Sequence, residues 1–275
     1  MKSSNNYHSQ VNLCHDMPKV LYLFWDQGWD QAPELVQHCA RSWENWNPDY
    51  NVCKITRKDL IEQLPEYFSI SGRLKNILLH RNITIQALSD ILRIRLLNRY
   101  GGIWADSTTL CRKPLSNWLP EKMQNGFFAF HNEINGNILS SWFLASTPGH
   151  QLTTRIHTGS IEYWRFRRKA DNYFWFHNII ADLYRNDPEM RALIESMPYY
   201  DANQLRSAGP HKLCPYKSIA LSPLTNEMQK DLESDSCPLY KLSWRIQSKP
   251  GSVLEYLLQK SPNYSKNLTD IPMSK

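Results

Sequence analysis

Two carboxylates and a guanidinium stand close together in "SDILRIRLLNRYGGIWADST", residues 89 to 108. Asp90 and Arg93 are three apart, so on a helix they share a face. A carboxylate accepts hydrogen bonds and a guanidinium donates them from a rigid planar fork. Together the pair can grip adjacent hydroxyls of a sugar ring; alone, it is an i,i+3 ion pair that supports a helix. Asp106 follows a short apolar run, where a strand end would hold it. A carboxylate there invites a hard cation, but such cations want several anionic oxygens. The next positions offer only the hydroxyls of Ser107 and Thr108.

The surrounding pattern supplies elements to hold these groups. Leu88, Leu92 and Leu96 form one helical row and Ile91 and Ile94 another, which predicts a helix through Tyr100 stopped at Gly101. "GIWA", 102–105, reads as a strand. Upstream, "KVLYLFW", 19–25, is a continuous apolar run and a buried-strand candidate. Pro33 suits the first turn of a helix over 33–46. Leu35, Val36, Cys39, Ala40, Trp43 and Trp46 fall on one stripe of it. "YNVCKI", 50–55, reads as a second strand. Strand, helix, strand is a βαβ unit, so the spacing predicts an α/β fold with a mostly parallel sheet. A short helix over 57–64, strands over 127–131 and 140–146, and helices over about 149–166 and 173–185 follow. From about residue 197 the chain is rich in Pro and Ser and takes no clear assignment.

Open α/β sheets bind ligands at the carboxyl ends of their strands. One such end here is Trp25-Asp26-Gln27-Gly28, and another is Asp106-Ser107-Thr108. An indole and a carboxylate at neighbouring strand ends suit a nucleotide: the ring stacks on the base, and the acid takes a ribose hydroxyl or a metal.

Composition limits the partners. The chain has 275 residues, 41% hydrophobic and 21% charged, enough for one large domain, and it is rich in Trp (10) and Tyr (14). Flat rings at this density suit sugar or nucleobase sites, besides the core. A net charge of +6 favours anionic partners, but it is too mild and too scattered for nucleic acid. The densest cationic run is "RFRRK", 165–169. It reads as a solvated helix face or as a patch for an anionic membrane or a phosphate-bearing acceptor. The six cysteines, at 14, 39, 53, 111, 214 and 237, show no C-x-x-C spacing, which argues against zinc. No apolar signal region or transmembrane-length run is present, so the expectation is a reduced, cytoplasmic protein that visits the inner membrane face. The sequons at Asn82, Asn263 and Asn267 are then chance matches.

The strings "SDILR" and "YGGIWADST" resemble the hallmark of family 32 glycosyltransferases and the large clostridial glucosylating toxins: S-D-x-x-R, a helical spacer, then G-G-x-[YW]-x-D-x-D. The bacterial capsular polysaccharide synthesis proteins are the most similar, because their last acid of D-x-D is often replaced. "MPKVLYLFWDQG", "APELVQHCARSWENWNPDYNV", "SSWFLASTPGH" and "PLYKLSW" extend the likeness over roughly residues 17 to 245. The resemblance implies a GT-A fold, Rossmann-like, with an additional helical C-terminal part. It implies a retaining transfer of a hexose from a nucleotide-diphosphate sugar, commonly a UDP-sugar, to a saccharide or lipid-linked acceptor. The chain divides accordingly within one domain: a flexible 1–17, a nucleotide-sugar-binding half over 17–146, an acceptor-side part over 147–245 and a tail over 246–275.

Carried over residue by residue, the resemblance has Trp25 stack on the base and Asp90 and Arg93 hold donor sugar hydroxyls. Asp106 contacts the ribose and the metal, Mn²⁺ or Mg²⁺. Gly102 and Ser107 belong to the donor-binding motif. Thr108 stands where the second acid would be, which makes a one-carboxylate metal site weak. Lys241 and His211 are candidates to meet the diphosphate in its place. The alternative is a protein of the same fold that has lost catalysis and only binds nucleotide or glycan.

Overall fold

The computed structural model describes residues 17–62, 83–133, 136–202, 213, 219–234 and 237–260. Of the expected features, residues 1–16 of the N-terminus, the sequons at Asn82, Asn263 and Asn267, Cys14, Cys214 and His211 lie outside the described residues. Cys39, Cys53, Cys111 and Cys237 are free thiols.

In chain order the elements are β1 (Val20–Phe24), α1 (Glu34–Trp46), β2 (Asn51–Ile55), α2 (Arg57–Glu62), α3 (Ile85–Tyr100), β3 (Gly102–Ala105) and β4 (Thr109–Cys111). Then come β5 (Phe127–Glu133), β6 (Asn137–Ser146), α4 (Gln151–Trp164), α5 (Trp175–Asn186) and α6 (Pro188–Ser196). The chain closes with α7 (Asn226–Glu233), β7 (Leu239–Lys241) and α8 (Val253–Gln259). Five strands form one sheet in the order β2-β1-β3-β6-β5, and β4 pairs with β7 in a second, two-stranded sheet. β1 is parallel to both β2 and β3, while β6 runs antiparallel to β3 and to β5. Four of the five strands therefore share a direction. This is the α/β class and the mostly parallel sheet that the sequence predicts.

The strands alternate between two cores. Tyr22, Phe24 and Trp104 face one, with Phe127 and Ala129, against α3, α4 and α5. Leu21, Leu23, Ile103, Ala105, Phe128 and Phe130 face the other, with Ala40 and Trp43 of α1. Strands covered on both faces have no polar side to show, which explains the unbroken apolar run of β1. Trp43 also ties α1 to β4, through Nε1 donating to the Thr109 carbonyl at 2.9 Å. A third cluster joins Cys39 and Leu110 to Leu232, Tyr240, Leu254 and Leu257. This packs the C-terminal helices against the α1 side, as the expected helical C-terminal part.

α3 is buried almost all round, from Ala87 to Leu97, Arg93 and Arg95 included. Its start is capped by the Thr84 hydroxyl, which accepts from the Ala87 N–H. Gly101 ends it at φ +67°, where the cap N–H donates to the Leu97 carbonyl. A side chain at Gly101 would meet Pro148 Cδ at 2.6 Å, so both the turn and the packing require glycine. α6 was not foreseen, although Asp187 before Pro188 is a start signal. The Asp187 carboxylate accepts from the N–H groups of Glu189 and Met190.

Candidate active site

β1 and β3 are neighbours, yet the chain visits β2 on the far side of β1 between them. Their carboxyl ends therefore flank a point where the strand order reverses, the place where open α/β sheets bind ligands. The register Leu21↔Ile103 and Tyr22↔Trp104 carries Trp25 and Asp106 out at these ends. The Ser107 hydroxyl donates to the Phe24 carbonyl, stitching the turn after β3 to the end of β1.

Asp106 is the centre of the site. Its Oδ1 accepts from Arg93 Nη2 at 3.0 Å and from Trp104 Nε1 at 3.1 Å. Its Oδ2 accepts from Lys241 Nζ at 2.8 Å, and the same ammonium donates to Thr108 Oγ1 at 2.8 Å. Lys241 arrives from far along the chain on β7, whose pairing with β4 sets Lys241 opposite Thr109. The Leu242 N–H donates to the Thr108 carbonyl at 2.9 Å and fixes the register.

Arg93 joins both acids. Its Nη1 lies 2.9 Å from Asp90 Oδ1, and its Nη2 also reaches Ser89 Oγ at 3.2 Å. The guanidinium sits 5.3 Å from the Trp104 ring and 5.9 Å from the Phe176 ring. Its side chain is only 4% exposed, against 27% for Asp106 and 16% for Lys241. Arg93 is thus engaged in orienting the two carboxylates, and Asp106 and Lys241 offer the more open surface.

Electrostatics separate the two acids. Asp90 is raised to about 7, because burial and then the Asp106 charge outweigh the downward pull of Arg93. Burial also pushes Asp106 upward, but Lys241 and Arg93 outweigh it and hold this carboxyl below its ordinary value. One carboxylate is therefore firmly charged while its neighbour titrates near neutrality. His177 of α5 lies beside them, with Nε2 3.4 Å from Ser141 Oγ. Burial and then the Arg93 charge bring its pKa down to about 4, so it is neutral.

Trp25 stands where expected, with its ring edge-on to Trp244 at 5.9 Å. Its Nε1 is buried without a hydrogen-bond partner among the described residues. Gly102 stands apart. It begins β3, whose four residues put it about 13 Å from Asp106 at ~3.3 Å per residue. At φ +95° a Cβ there would meet Val20 Cγ1 at 2.5 Å and the Val20 carbonyl at 2.7 Å. Its glycine serves the β1–β3 contact.

The pleat puts residues two apart on one face, so Trp104 beside Asp106 was legible from spacing. Trp244 lies in the string "PLYKLSW", whereas no local signal pointed to Phe176 or His177.

A divalent cation at Asp106 would need anionic oxygens from the protein. At this turn Asp106 is the carboxylate, and its two oxygens accept from Arg93, Trp104 and Lys241. Thr108 is paired to the Lys241 ammonium. Among the described residues no three His, Cys, Asp or Glu side chains come together as a metal site. Asp106, Thr108 and the Lys241 ammonium alone make a poor divalent-cation site, and a cation there would draw its remaining ligands from a diphosphate.

The chain belongs to the capsular polysaccharide synthesis protein family, whose model matches residues 1–260. It is 23% identical over 181 residues to the putative glycosyltransferase HOC1 of Saccharomyces cerevisiae. That match covers 60% of this chain and 43% of the yeast protein, so the chain spans less than half of that relative. Among solved structures it is similar to the PaToxG glycosyltransferase, with a TM-score of 0.45 and 17% identity over 68% of this chain and 77% of that one. It is also similar to a transferase variant with two cysteine-to-serine substitutions, with a TM-score of 0.37 and 11% identity over 68% and 93%.

Proposed function

We propose that the protein is a retaining glycosyltransferase of GT-A type in surface polysaccharide synthesis. It moves a hexose from a nucleotide-diphosphate sugar, such as a UDP-sugar, to a saccharide or lipid-linked saccharide. The observation that carries this reading is the four-group constellation of Asp90, Arg93, Asp106 and Lys241 at the carboxyl end of β3. Family membership in polysaccharide synthesis supports it.

In this reading Trp25 stacks on the nucleobase, and Asp106 and Ser107 lie by the ribose. Asp90, oriented by Arg93, hydrogen-bonds donor sugar hydroxyls. Lys241 turns its ammonium toward the diphosphate and neutralises the charge that grows there as the anomeric C–O bond breaks. The diphosphate leaves with the electron pair. The acceptor hydroxyl oxygen bonds to the anomeric carbon on the same face, and its proton passes to an oxygen of the leaving phosphate. Lys241 thus does what a divalent cation would do beside two acids. A dedicated base is not required.

The test is donor hydrolysis and transfer with a panel of nucleotide sugars. Turnover with retained anomeric configuration, lost in Asp106→Ala, supports the reading. Donor binding without turnover favours a decayed site that only binds, a reading motivated by Asp106 being satisfied within the protein. Neither binding nor turnover contradicts both.

A further inference from the structure

The connector between α4 and α5, residues 165–174, carries the two most exposed large hydrophobic side chains among the described residues. Phe166 is 81% exposed and Tyr173 71%. The same stretch holds Arg165, Arg167, Arg168 and Lys169 against one acid, Asp171. It lies past the end of α4, so "RFRRK" is not a helix face.

The connector is held in shape from within. Arg167 Nε donates to Asp171 Oδ2 at 2.9 Å, and its guanidinium lies 4.2 Å from the Tyr163 ring. The Asp171 N–H donates to the Tyr163 hydroxyl at 2.7 Å. This engages Arg167 and leaves Arg165, Arg168 and Lys169 exposed, with no ion pair to a described carboxylate. Exposed aromatics among exposed cations match the boundary of an anionic bilayer: rings settle at headgroup level and cations sit over lipid phosphates.

The connector also leads into the site. It runs directly into α5, where the Phe176 ring lies 5.9 Å from the Arg93 guanidinium and His177 feels the Arg93 charge. We infer that residues 165–174 dock the protein on an anionic membrane surface. Phe166 and Tyr173 enter the headgroup boundary, and Arg165, Arg168 and Lys169 meet the anionic headgroups. This sets the active site beside an acceptor carried on a lipid; that last clause rests on the proposed transfer reaction, whereas the membrane contact does not.

The experiment is co-sedimentation of the full chain with vesicles of phosphatidylcholine alone or mixed equally with phosphatidylglycerol. The expected result is binding to the anionic vesicles only, weakening as salt rises. Replacing Arg165, Arg168 and Lys169 together by Gln weakens it on the order of a hundredfold, from about fivefold per cation. Phe166→Ser with Tyr173→Ser weakens it at low and high salt alike. Unchanged melting temperatures show both variants folded. No binding of the wild type to anionic vesicles overturns the inference, as does equal binding by the variants. Retention of single-stranded RNA without vesicle binding overturns it too, in favour of nucleic acid. Vesicle binding in a protein that hydrolyses no donor upholds the membrane contact and removes only the transfer reading.

Discussion

Lys241 Nζ stands 2.8 Å from Asp106 Oδ2 across 135 residues of chain, and equally close to Thr108 Oγ1. An ammonium occupies the ground between a carboxylate and a threonine hydroxyl. Lys241 thus ties Asp106 and Thr108 into one arrangement. With two acids at this turn, one lysine would leave net negative charge for a divalent cation to offset. With one acid, the lysine balances the charge by itself.

Arg93 should prove a keystone of stability as well as of the site. Arg93→Met leaves Asp90 and Asp106 facing each other with the bridging charge gone. Breaking a buried pair costs roughly 3–5 kcal/mol. The loss should be larger at pH 8 than at pH 5, because Asp90 can shed its charge by protonation at the lower pH. Urea unfolding at the two values measures it. An equal loss at both would show that Asp90 does not titrate between them.

Asp90 gives a stability signature of definite sign. Its folded pKa is raised from 3.8 to about 7, so between these values the folded chain holds a proton that the unfolded chain has released. Its contribution to stability therefore declines as pH rises from about 4 to 7 and is level above. Asp90→Asn should remove that slope. Neutral His177, with a folded pKa of about 4, works in the opposite sense: its contribution is lost as pH falls from 6.5 to 4. The difference between wild-type and Asp90→Asn unfolding curves across pH isolates the aspartate. A slope unchanged in Asp90→Asn would assign the titration elsewhere.

The same residue separates binding from base catalysis. Asp90, raised to about 7, should give the rate profile a near-neutral limb even where the leaving phosphate takes the acceptor proton. Asn can still hydrogen-bond a sugar hydroxyl but cannot remove a proton. Asp90→Asn should therefore lose the limb while keeping kcat within roughly a hundredfold. A general base contributes about 10²–10⁴-fold, so a drop of ten-thousandfold would identify Asp90 as that base.

Gly102→Ala should damage folding and spare chemistry. The new Cβ would lie 2.5 Å from Val20 Cγ1, in a φ +95° backbone that side chains rarely adopt. Strain of about 1–3 kcal/mol and overpacking of about 1–3 kcal/mol point to a loss of a few kcal/mol. The folded fraction should keep its donor KM. A KM that rises without loss of stability would place Gly102 at the ligand after all.

How far the sequence foretold this molecule depended on the range of each interaction. β1, α1 and β2 were legible because their apolar spacing is a local consequence of burial. So was the pairing of Asp90 with Arg93, which is one turn of helix. Trp104 beside Asp106 was equally local and simply followed the pleat. β4 and β7 have three residues each and no periodicity to read; they exist because Thr109 meets Lys241 in the folded chain. Lys241 was singled out by resemblance alone, and its two partners became visible only through that pairing. Phe176 and His177 reach Arg93 through helix packing, for which the sequence around residue 175 carries no marker.

The central claim, that Lys241 stands in for a metal, is tested most directly by donor turnover with and without a chelator, in the wild type and in Lys241→Met. The account predicts that wild-type turnover survives chelation. It predicts that Lys241→Met loses roughly a hundredfold to a thousandfold in kcat, the scale of one lost charge-stabilising donor. Turnover abolished by chelation, restored by Mn²⁺ and indifferent to Lys241→Met would contradict it.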